Sequence, residues 1–290
     1  MKLYHWSMSG VFYLVSKLPF PVLYFLSDIL AFKLNYLIRY RRSVITLNLR
    51  KSFPNADDHQ LKQIRNRFYR NLTDLFLEVL KTQSMHKEEL IRRITFNNDE
   101  ILTALYQKGK SAIITIGHCG NWEWMSQVLD MKGPFRAFAV VKPLNDPFFE
   151  DYMKHLRTKF TVQGGLISFK STLREMVRYR DQQTITIFAG DQTPAKEEIN
   201  YWTTFLNQDT PVFLGIEKIA KALDFPVLFI DIQRKKRGFY HAEISMIEEH
   251  PKTTPDFEIT EKHVRKLEGV IRNHPDNWLW SHRRWKHSRG

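Results

Sequence analysis

One stretch decides the fold class: Ser111-Ala-Ile-Ile-Thr-Ile116 and its continuation Gly117-His-Cys-Gly-Asn-Trp-Glu-Trp124. The first part is apolar and β-branched, which is typical of a short strand buried on both faces. Gly117 and Gly120 permit a tight turn, and a helical pattern follows from about Asn121 to Asp130. A buried strand that runs through a glycine turn into a helix is the basic unit of an α/β sheet.

The same alternation of strands and helices continues along the chain. Runs of β-branched and apolar residues predict further strands at 136–141, 184–188 and 226–232. A charged turn at 233–238 and a run at 239–247 predict a hairpin, which makes the sheet mixed. Helices are predicted at 43–53, 58–79, 147–158, 171–179, 212–222 and 260–272. Asp57 or Asp58 and Ser171 are the predicted N-caps of two of these helices. We therefore predict an α/β fold with a mixed central sheet flanked by helices.

The N-terminal segment is apolar and amphipathic. Within 21–37, apolar residues recur at helical spacing, namely Val22, Phe25, Leu26, Ile29 and Leu30. Lys17, Asp28 and Lys33 interrupt the apolar run, so it contains no stretch of about 18 uncharged residues. A basic cluster, Arg39-Tyr-Arg-Arg42, follows at the position where lipid phosphates would lie against an embedded helix.

We predict from this pattern an amphipathic, membrane-associating segment over residues 1–42 and a second domain over residues 43–290. Two other interpretations stay open: a helix that packs on the protein's own core, and a tilted membrane span in which Lys17 reaches the interface. No secretory signal is predicted, because the apolar stretch near the start contains polar residues and lacks a cleavage site of small residues.

The composition is that of a globular protein with an anionic partner. Of 290 residues, 43% are apolar and 26% are charged, which excludes a disordered or collagen-like chain. The 44 Lys and Arg residues exceed the 31 Asp and Glu residues, giving a net charge of +13. Such an excess is typical of proteins that bind nucleic acid, an anionic membrane or a phosphorylated substrate. The single cysteine, Cys119, excludes an intrachain disulfide and a cysteine-rich zinc site.

His118 and Glu123 are the candidate catalytic residues. His118 lies just past the predicted strand, and Glu123 lies in the first turn of the following helix. Loops at strand ends collect functional residues in α/β sheets. A carboxylate on one imidazole nitrogen lets the other nitrogen act as a base near neutral pH. We therefore predict a base dyad in which Glu123 orients His118.

Three other kinds of site involve the same loop. Cys119 as a nucleophile would need His118 as its base, yet adjacent side chains on an extended turn point apart. A metal site made of His118, Glu123 and His155 lacks the dense ligand spacing that such sites have. Backbone amides of the glycine turn and of Asn121 are suited to an anion or oxyanion, a role compatible with a neighbouring base.

Four motifs, in order along the chain, carry a resemblance to a known family. The first is Tyr40-Arg-Arg-Ser-Val-Ile-Thr-Leu-Asn-Leu-Arg-Lys-Ser-Phe-Pro54, and the second is Gly117-His-Cys-Gly-Asn-Trp-Glu123. The third is Ala189-Gly-Asp-Gln-Thr-Pro194, and the fourth is Asn277-Trp-Leu-Trp-Ser-His-Arg-Arg-Trp-Lys286. Together they resemble the lipid A biosynthesis acyltransferase family, the late or secondary acyltransferases. The second motif is similar to the family's His-x4-acid signature, and the fourth to its tryptophan-rich C-terminal box.

The resemblance implies roles for six residues. It implies that His118 is the general base and that Glu123 is its partner. Four further residues are implied to bind substrate: Asp191, Arg157, Asn121 and Gln192. Of these, Asp191 matches the acidic residue of the third motif, and Arg157 is the nearest match to an arginine that holds substrate phosphate.

The resemblance also implies a reaction and a location. The reaction is transfer of a fatty acyl group from a thioester of acyl carrier protein or coenzyme A to a hydroxyl of a lipid A precursor or related lipid. The implied partners are this donor, a phosphorylated glycolipid acceptor and an anionic membrane surface, and not nucleic acid. The implied location is the cytoplasmic face of the inner membrane, and neither a cofactor nor a metal is expected.

Alternative functions remain open from the sequence. A glycerolipid acyltransferase uses similar chemistry, although Glu123 in place of Asp and the tryptophan-rich box argue against it. An aminolipid acyltransferase is a second alternative. A non-catalytic basic protein that binds membranes or nucleic acid would need neither His118 nor Glu123. The basic residues within 282–286 are compatible with a structural, a headgroup-facing or a catalytic role.

Overall fold

A seven-stranded sheet forms the centre of the structure, a computed structural model that describes residues 3–289. The helices in this part of the chain are α1 (Leu3–Lys17), α2 (Phe20–Phe32), α3 (Arg42–Ser52), α4 (Asp58–Lys81), α5 (Lys87–Arg93), α6 (Glu100–Gln107), α7 (Trp122–Lys132), α8 (Pro147–Thr158), α9 (Thr172–Arg178), α10 (Gly215–Leu223) and α11 (Glu258–Asn273). The strands are β1 (Ile94–Asn97), β2 (Ala112–Ile116), β3 (Arg136–Val141), β4 (Gly165–Ser168), β5 (Thr184–Ala189), β6 (Trp202–Phe205), β7 (Gln208–Pro211), β8 (Val227–Lys236) and β9 (Phe239–Glu248). The strand order of the sheet is β1-β9-β8-β2-β5-β3-β4, and β6 and β7 form a separate hairpin.

The central strands are parallel, so their carboxyl ends lie at one edge of the sheet. β2 pairs with β5 and β8, and β3 pairs with β5 and β4, all in parallel. β9 runs antiparallel to β8, which confirms the predicted mixed sheet. Ile113 packs in an apolar cluster with α3, α4, α10 and α11, whereas Ile114 packs with α5, α6 and α7. Because neighbouring residues of a strand point to opposite faces, helices cover both faces of the sheet.

Two residues were predicted to cap helices, and only one of them makes a capping hydrogen bond with its side chain. The Asp57 carboxylate accepts a 2.7 Å hydrogen bond from the backbone N–H of Gln60, which confirms Asp57 as the cap of α4. The Ser171 hydroxyl instead donates to the carbonyl of Ser168, 3.4 Å away. Ser171 is therefore the N-cap residue of α9, as predicted, but its side chain makes no capping hydrogen bond.

The predicted charged turn at 233–238 is mostly strand. β8 continues to Lys236, and the chain reverses at Arg237 and Gly238. This extension brings Arg234 and Arg237 to the buried carboxylate of Asp74 on α4. The charged side chains thus form an inward ion-pair cluster, whereas the sequence pattern indicated a solvated turn.

Several short elements have no sequence signal strong enough to predict them. β1 spans four residues and pairs with β9, far along the chain. The β6–β7 hairpin is polar, and its turn residues Leu206 and Asn207 have φ values of 49° and 62°. A short strand of this kind is stabilised by a distant partner strand rather than by its own residue pattern.

Helix α2 packs on α4 with one face and leaves an apolar face exposed. Its buried residues are Leu23, Ser27 and Ala31. Its exposed large apolar residues are Val22, Phe25, Leu26, Ile29 and Phe32. Among the described residues, the stretch Phe20–Leu37 is long and apolar enough to cross a membrane by length and composition alone. Residues 1 and 2 of the predicted segment lie outside the described part of the chain.

Polar bonds fix α2 to the rest of the protein. The Tyr24 hydroxyl donates to Glu78 at 3.1 Å, and the Ser27 hydroxyl donates to Asp74 at 2.5 Å, both on α4. Asp28 pairs with Arg237 of the β8–β9 turn at 2.9 Å. Gly238 has a φ of 72°, which favours glycine in this turn, and a Cβ there would also meet the Tyr24 hydroxyl of α2.

Candidate active site

His118 and Asp191 meet at the carboxyl edge of the sheet. His118 follows β2 and Asp191 follows β5, and these two strands are neighbours with Ile116 paired to Ala189. The strand pairing therefore brings together two residues that are 73 positions apart in the sequence. Loops at this edge of an α/β sheet are the usual place of a functional site.

Asp191 holds His118 by two contacts. The Nδ1 atom of His118 lies 2.5 Å from Oδ1 of Asp191, and the backbone N–H of His118 donates to Oδ2 at 2.9 Å. The indole N–H of Trp278 also donates to Oδ2, at 2.6 Å. The Asp191 side chain is only 2% exposed, so these three bonds replace its contacts with water. The carboxylate is consequently fixed in position before any substrate arrives.

This contact shifts the pKa values of both groups. Burial opposes the charged form of each residue. The pKa of the Asp191 carboxyl nevertheless lies well below its usual range, because the charge and hydrogen bonds of His118 and the Trp278 bond stabilise the carboxylate. The same carboxylate raises the pKa of His118 above its ordinary value. Asp191 thus favours the imidazolium that a general base forms when it accepts a proton.

The second imidazole nitrogen is the one available to a substrate. An ionised carboxylate only accepts hydrogen bonds, so Nδ1 of His118 carries the proton and, in the neutral imidazole, Nε2 is the nitrogen that accepts. The side-chain amide nitrogen of Gln192 lies 3.3 Å from Nε2, and the ring of Trp122 meets the imidazole edge-on with centroids 5.0 Å apart. The His118 side chain is 15% exposed, so the imidazole is only partly covered by these neighbours.

Glu123 does not occupy the place that the sequence predicted for it. Its carboxylate accepts two hydrogen bonds from Arg157 of α8, from Nε and Nη2, each 2.7 Å long. The orienting carboxylate of His118 is instead Asp191, because strand pairing places Asp191 against Nδ1 while the first turn of α7 directs Glu123 toward α8. Glu123 still acts on His118 through its charge, which raises the pKa of the imidazole.

Asn121 was predicted to bind substrate, but the structure places it inside the protein. Its side chain is completely buried, where its amide donates to Glu78 at 3.0 Å and its carbonyl accepts from the N–H of Trp124. Glu78 in turn accepts from Tyr240 at 2.6 Å and from Tyr24 of α2. We therefore correct the interpretation: Asn121 caps α7 and anchors the His118 loop from inside the protein.

Cys119 and the loop amides are likewise engaged within the protein. Burial raises the pKa of the Cys119 thiol well above its usual value. The backbone N–H groups of His118, Cys119 and Gly120 all donate to acceptors in the protein. These three amides are therefore not available to an oxyanion, contrary to the possibility raised from the glycine turn.

The C-terminal box lies against the same edge, a position that sequence reasoning left open. Trp278 binds Asp191, and Nε2 of His282 accepts from the backbone N–H of Thr193 at 3.3 Å. Burial lowers the pKa of His282 to about 4, so this imidazole is neutral near pH 7. The tryptophan-rich motif was the signal for this contact, but its partner was not evident from the sequence.

Elsewhere in the described residues, no three His, Cys, Asp or Glu side chains lie together as a metal site would require. The charged cluster at Asp74 and the bond of Tyr240 to Glu78 join α4 to the β8–β9 hairpin.

Fold and site together define an α/β protein with a buried carboxylate–imidazole pair whose outer nitrogen faces the Gln192 amide, and enzymes that use histidine as a general base share such a pair. The family model for bacterial lipid A biosynthesis acyltransferases matches residues 1–287. The chain therefore belongs to this family and is an acyltransferase of lipid A biosynthesis. A search of curated proteins found no match to the chain.

Proposed function

We propose that this protein moves a fatty acyl group from a thioester of acyl carrier protein or coenzyme A to a hydroxyl of a lipid A precursor, with His118 as the general base. The observation that supports this most directly is the His118–Asp191 pair, in which Asp191 holds Nδ1 and Nε2 lies on the opposite side of the ring, beside the Gln192 amide. Because the carboxylate and the base are already in position, no residue has to move to form the dyad.

In the proposed reaction, Nε2 of His118 removes the proton of the acceptor hydroxyl as its oxygen attacks the thioester carbonyl carbon. Asp191 stabilises the imidazolium that results and remains ionised throughout. The tetrahedral intermediate then collapses with cleavage of the carbon–sulfur bond. The imidazolium returns its proton to the departing sulfur, so the products are an ester and a thiol, and His118 is regenerated.

The Glu123–Arg157 pair is proposed to prepare the acceptor side of the site. Its two hydrogen bonds use Nε and Nη2 of Arg157, which leaves Nη1 outside the pair. A guanidinium fixed in this way is suited to binding a phosphate oxygen of the acceptor. Gln192, whose amide lies beside Nε2 of His118, is proposed to contact the reacting hydroxyl.

Membrane association through residues 1–42 is proposed on the exposed face of α2. Val22, Phe25 and Ile29 present an apolar surface to the outside of the protein. Arg39, Arg41 and Arg42 lie between the helical turn Lys33–Leu37, which continues α2, and the start of α3, and they are suited to anionic headgroups. We place the protein on the cytoplasmic face of the inner membrane, where an acyl thioester and a membrane-embedded acceptor are both accessible. Residues 43–290 then form the catalytic domain.

The proposal is tested by acyl transfer with the purified full-length protein in detergent. A lipid A precursor is incubated with acyl carrier protein or coenzyme A carrying a labelled fatty acid, and the lipid product is identified by mass spectrometry. The expected product is the acceptor with one additional ester-linked acyl chain, absent with His118→Ala. A wild-type protein that acylates a glycerolipid or an aminolipid but no lipid A precursor would contradict the proposed acceptor.

A further inference from the structure

Glu78 on α4 is a buried carboxyl group that the proposed reaction does not use. Its residue is 1% exposed. Its Oε2 atom accepts from the side-chain amide of Asn121 at 3.0 Å and from the hydroxyl of Tyr240 at 2.6 Å, and Oε1 accepts from Tyr24 at 3.1 Å. Burial raises the pKa of this group, and the bonds from Tyr240 and Asn121 oppose that effect. A buried carboxyl group is costly for folding unless it is hydrogen-bonded, so these donors stabilise Glu78 in the core.

Glu78 determines which way round the side-chain amide of Asn121 lies. The Nδ2 atom of Asn121 donates to Glu78, and Oδ1 accepts from the backbone N–H of Trp124 at 3.3 Å, which caps α7. A rotation of the amide by half a turn would exchange the two atoms. Nδ2 would then face the N–H of Trp124, and Oδ1 would face an oxygen that already accepts from Tyr240. Both bonds would be lost, so the pairing with Glu78 keeps the cap in place.

Asn121 also ends the short loop that carries His118. The loop begins after β2, and the backbone N–H of His118 is held by Asp191 at 2.9 Å. Between His118 and Asn121, Gly120 has a φ of 56°, a left-handed conformation that favours glycine. In a loop this short, a shift of Asn121 also moves the residues before it. The position of the imidazole relative to Asp191 therefore depends on where Asn121 is held.

We propose that Glu78 is a positioning residue for the reaction: it fixes the amide of Asn121 and, through it, the loop that holds His118 against Asp191. This inference rests on the proposed role of His118 as general base. A misplacement of about 1 Å can cost about a hundredfold in rate, so a residue in the core can influence kcat without contacting the substrate. Since Oε1 of Glu78 bonds to Tyr24, α2 is joined to the same support.

The first variant is Asn121→Asp, which keeps an oxygen for the N–H of Trp124 but replaces the donor to Glu78 by an acceptor. We expect kcat to fall about ten- to a hundredfold with KM changed by less than about threefold, because the base is misplaced while the substrate surface is intact. Adding Glu78→Gln supplies an amide donor opposite the new carboxylate and reverses the polarity of the bond. The double variant should therefore recover most of the lost kcat.

Two further variants separate positioning from folding. Asn121→Ser keeps a hydroxyl that can cap α7, has no amide to donate to Glu78 and introduces no charge, so it should show the same loss of kcat. Gln127→Glu makes the same change of an amide into a carboxylate at another buried position of α7, where Oε1 accepts from the N–H of Phe160. It should keep the wild-type kcat even where thermal unfolding shows that it is destabilised as much as Asn121→Asp.

Hydrogen exchange provides a measurement that needs no turnover. The backbone amides of 117–124, followed by mass spectrometry in the full-length protein, should exchange about tenfold faster in Asn121→Asp and Asn121→Ser and should slow again in the double variant. The inference is overturned if folded Asn121→Ser keeps full kcat, if the folded double variant does not regain kcat, or if Gln127→Glu loses as much kcat as Asn121→Asp. A wild-type protein without acyl transfer would refute the proposed function, and the exchange rates would still test the support of the loop by Glu78.

Discussion

Arg157 holds Glu123 by two hydrogen bonds of 2.7 Å, and both side chains are largely buried. The pair joins α8 to the first turn of α7, close to His118. Bidentate geometry of this kind fixes the position of the guanidinium as well as its charge. The carboxylate nearest to His118 in sequence thus belongs to an ion pair, while the carboxylate that orients His118 comes from another strand.

The effects of substituting Glu123 and Arg157 on the free energy of unfolding should not be additive. Glu123→Gln and Arg157→Met alone each leave one buried charge unpaired, and each should lower the free energy of unfolding by about 2–3 kcal/mol. The double variant should lose clearly less than the sum of the two. Chemical denaturation of the four proteins in one detergent measures this coupling. Strictly additive losses would mean that the two side chains do not interact in solution.

His118→Ala should reduce acyl transfer by about two to four orders of magnitude, the usual contribution of a general base. The substitution removes an imidazole at the edge of the sheet and should leave the far-ultraviolet circular dichroism spectrum unchanged. Turnover is compared at saturating donor and acceptor. Activity within a few-fold of the wild type would show that another group removes the proton.

Asp191→Asn should lower kcat by about two to four orders of magnitude, because an amide can stabilise the wrong imidazole tautomer and does not stabilise the imidazolium. The sign of the pH effect follows from the charges. Asp191 raises the pKa of His118, so the wild-type rate should increase with pH through a limb above the ordinary histidine value. In Asp191→Asn this limb should move to lower pH.

The matched control for Asp191→Asn is Glu123→Gln. The charge of Glu123 also raises the pKa of His118, but it is a weaker influence than that of Asp191. Its acidic limb should therefore move in the same direction by a smaller amount. A larger shift in Glu123→Gln than in Asp191→Asn would assign the orienting role to Glu123 after all.

Cys119→Ala should keep most of the activity. The thiol is buried and its pKa is raised, so it carries no thiolate that could attack a thioester near neutral pH. The native protein should react slowly with iodoacetamide and rapidly after unfolding. Detection by mass spectrometry of an acyl group on Cys119 during turnover would instead establish a two-step mechanism.

Binding to anionic vesicles should combine a salt-resistant and a salt-sensitive contribution. Each apolar side chain of α2 that becomes fully buried contributes about 1.5–3 kcal/mol, which salt does not screen. Each arginine near an anionic surface adds about 1 kcal/mol, which salt weakens. Co-sedimentation of the full-length protein should therefore persist in high salt. In Phe25→Ser/Ile29→Ser the remaining binding should become salt-sensitive.

The control for vesicle binding is Val162→Ser, which removes an exposed apolar side chain on a loop outside α2. It should bind vesicles as the wild type does. Release of the wild-type protein by high salt alone, without detergent, would show that the α2 face does not enter the bilayer.

The sequence predicted what depends on neighbouring residues and missed what depends on strand order. The apolar run before Gly117 predicted β2, and the motif around His118 predicted the base. Glu123 was predicted as the partner of His118 because it is close in sequence. The pairing of β2 with β5 instead places Asp191, 73 positions away, against His118. Asp191 itself was predicted as a site residue, but only by resemblance.

Long-range hydrogen bonds also account for the remaining differences. Trp278 reaches Asp191 from 87 positions away, and no periodicity in the sequence encodes that distance. Asn121 looked like a polar loop residue, yet Glu78, 43 positions earlier, binds it inside the protein. The burial of a polar residue can be predicted only when its hydrogen-bond partner is known, because the same side chain is equally common on a protein surface.

The hydrogen bonds from α2 to Asp74 and Glu78 mean that α2 cannot be exchanged for an unrelated apolar helix without loss of these bonds. Glu78 receives the hydroxyl of Tyr24 on one oxygen and the amide of Asn121 on the other. A chimera with an unrelated helix in place of α2 would lack Tyr24, the donor to Oε1 of Glu78, and Ser27, which shares Oδ1 of Asp74 with Arg237. A variant from which α2 is removed meets the same obstacle. Re-surfacing its outward side chains while keeping its inward ones is the route that this architecture permits.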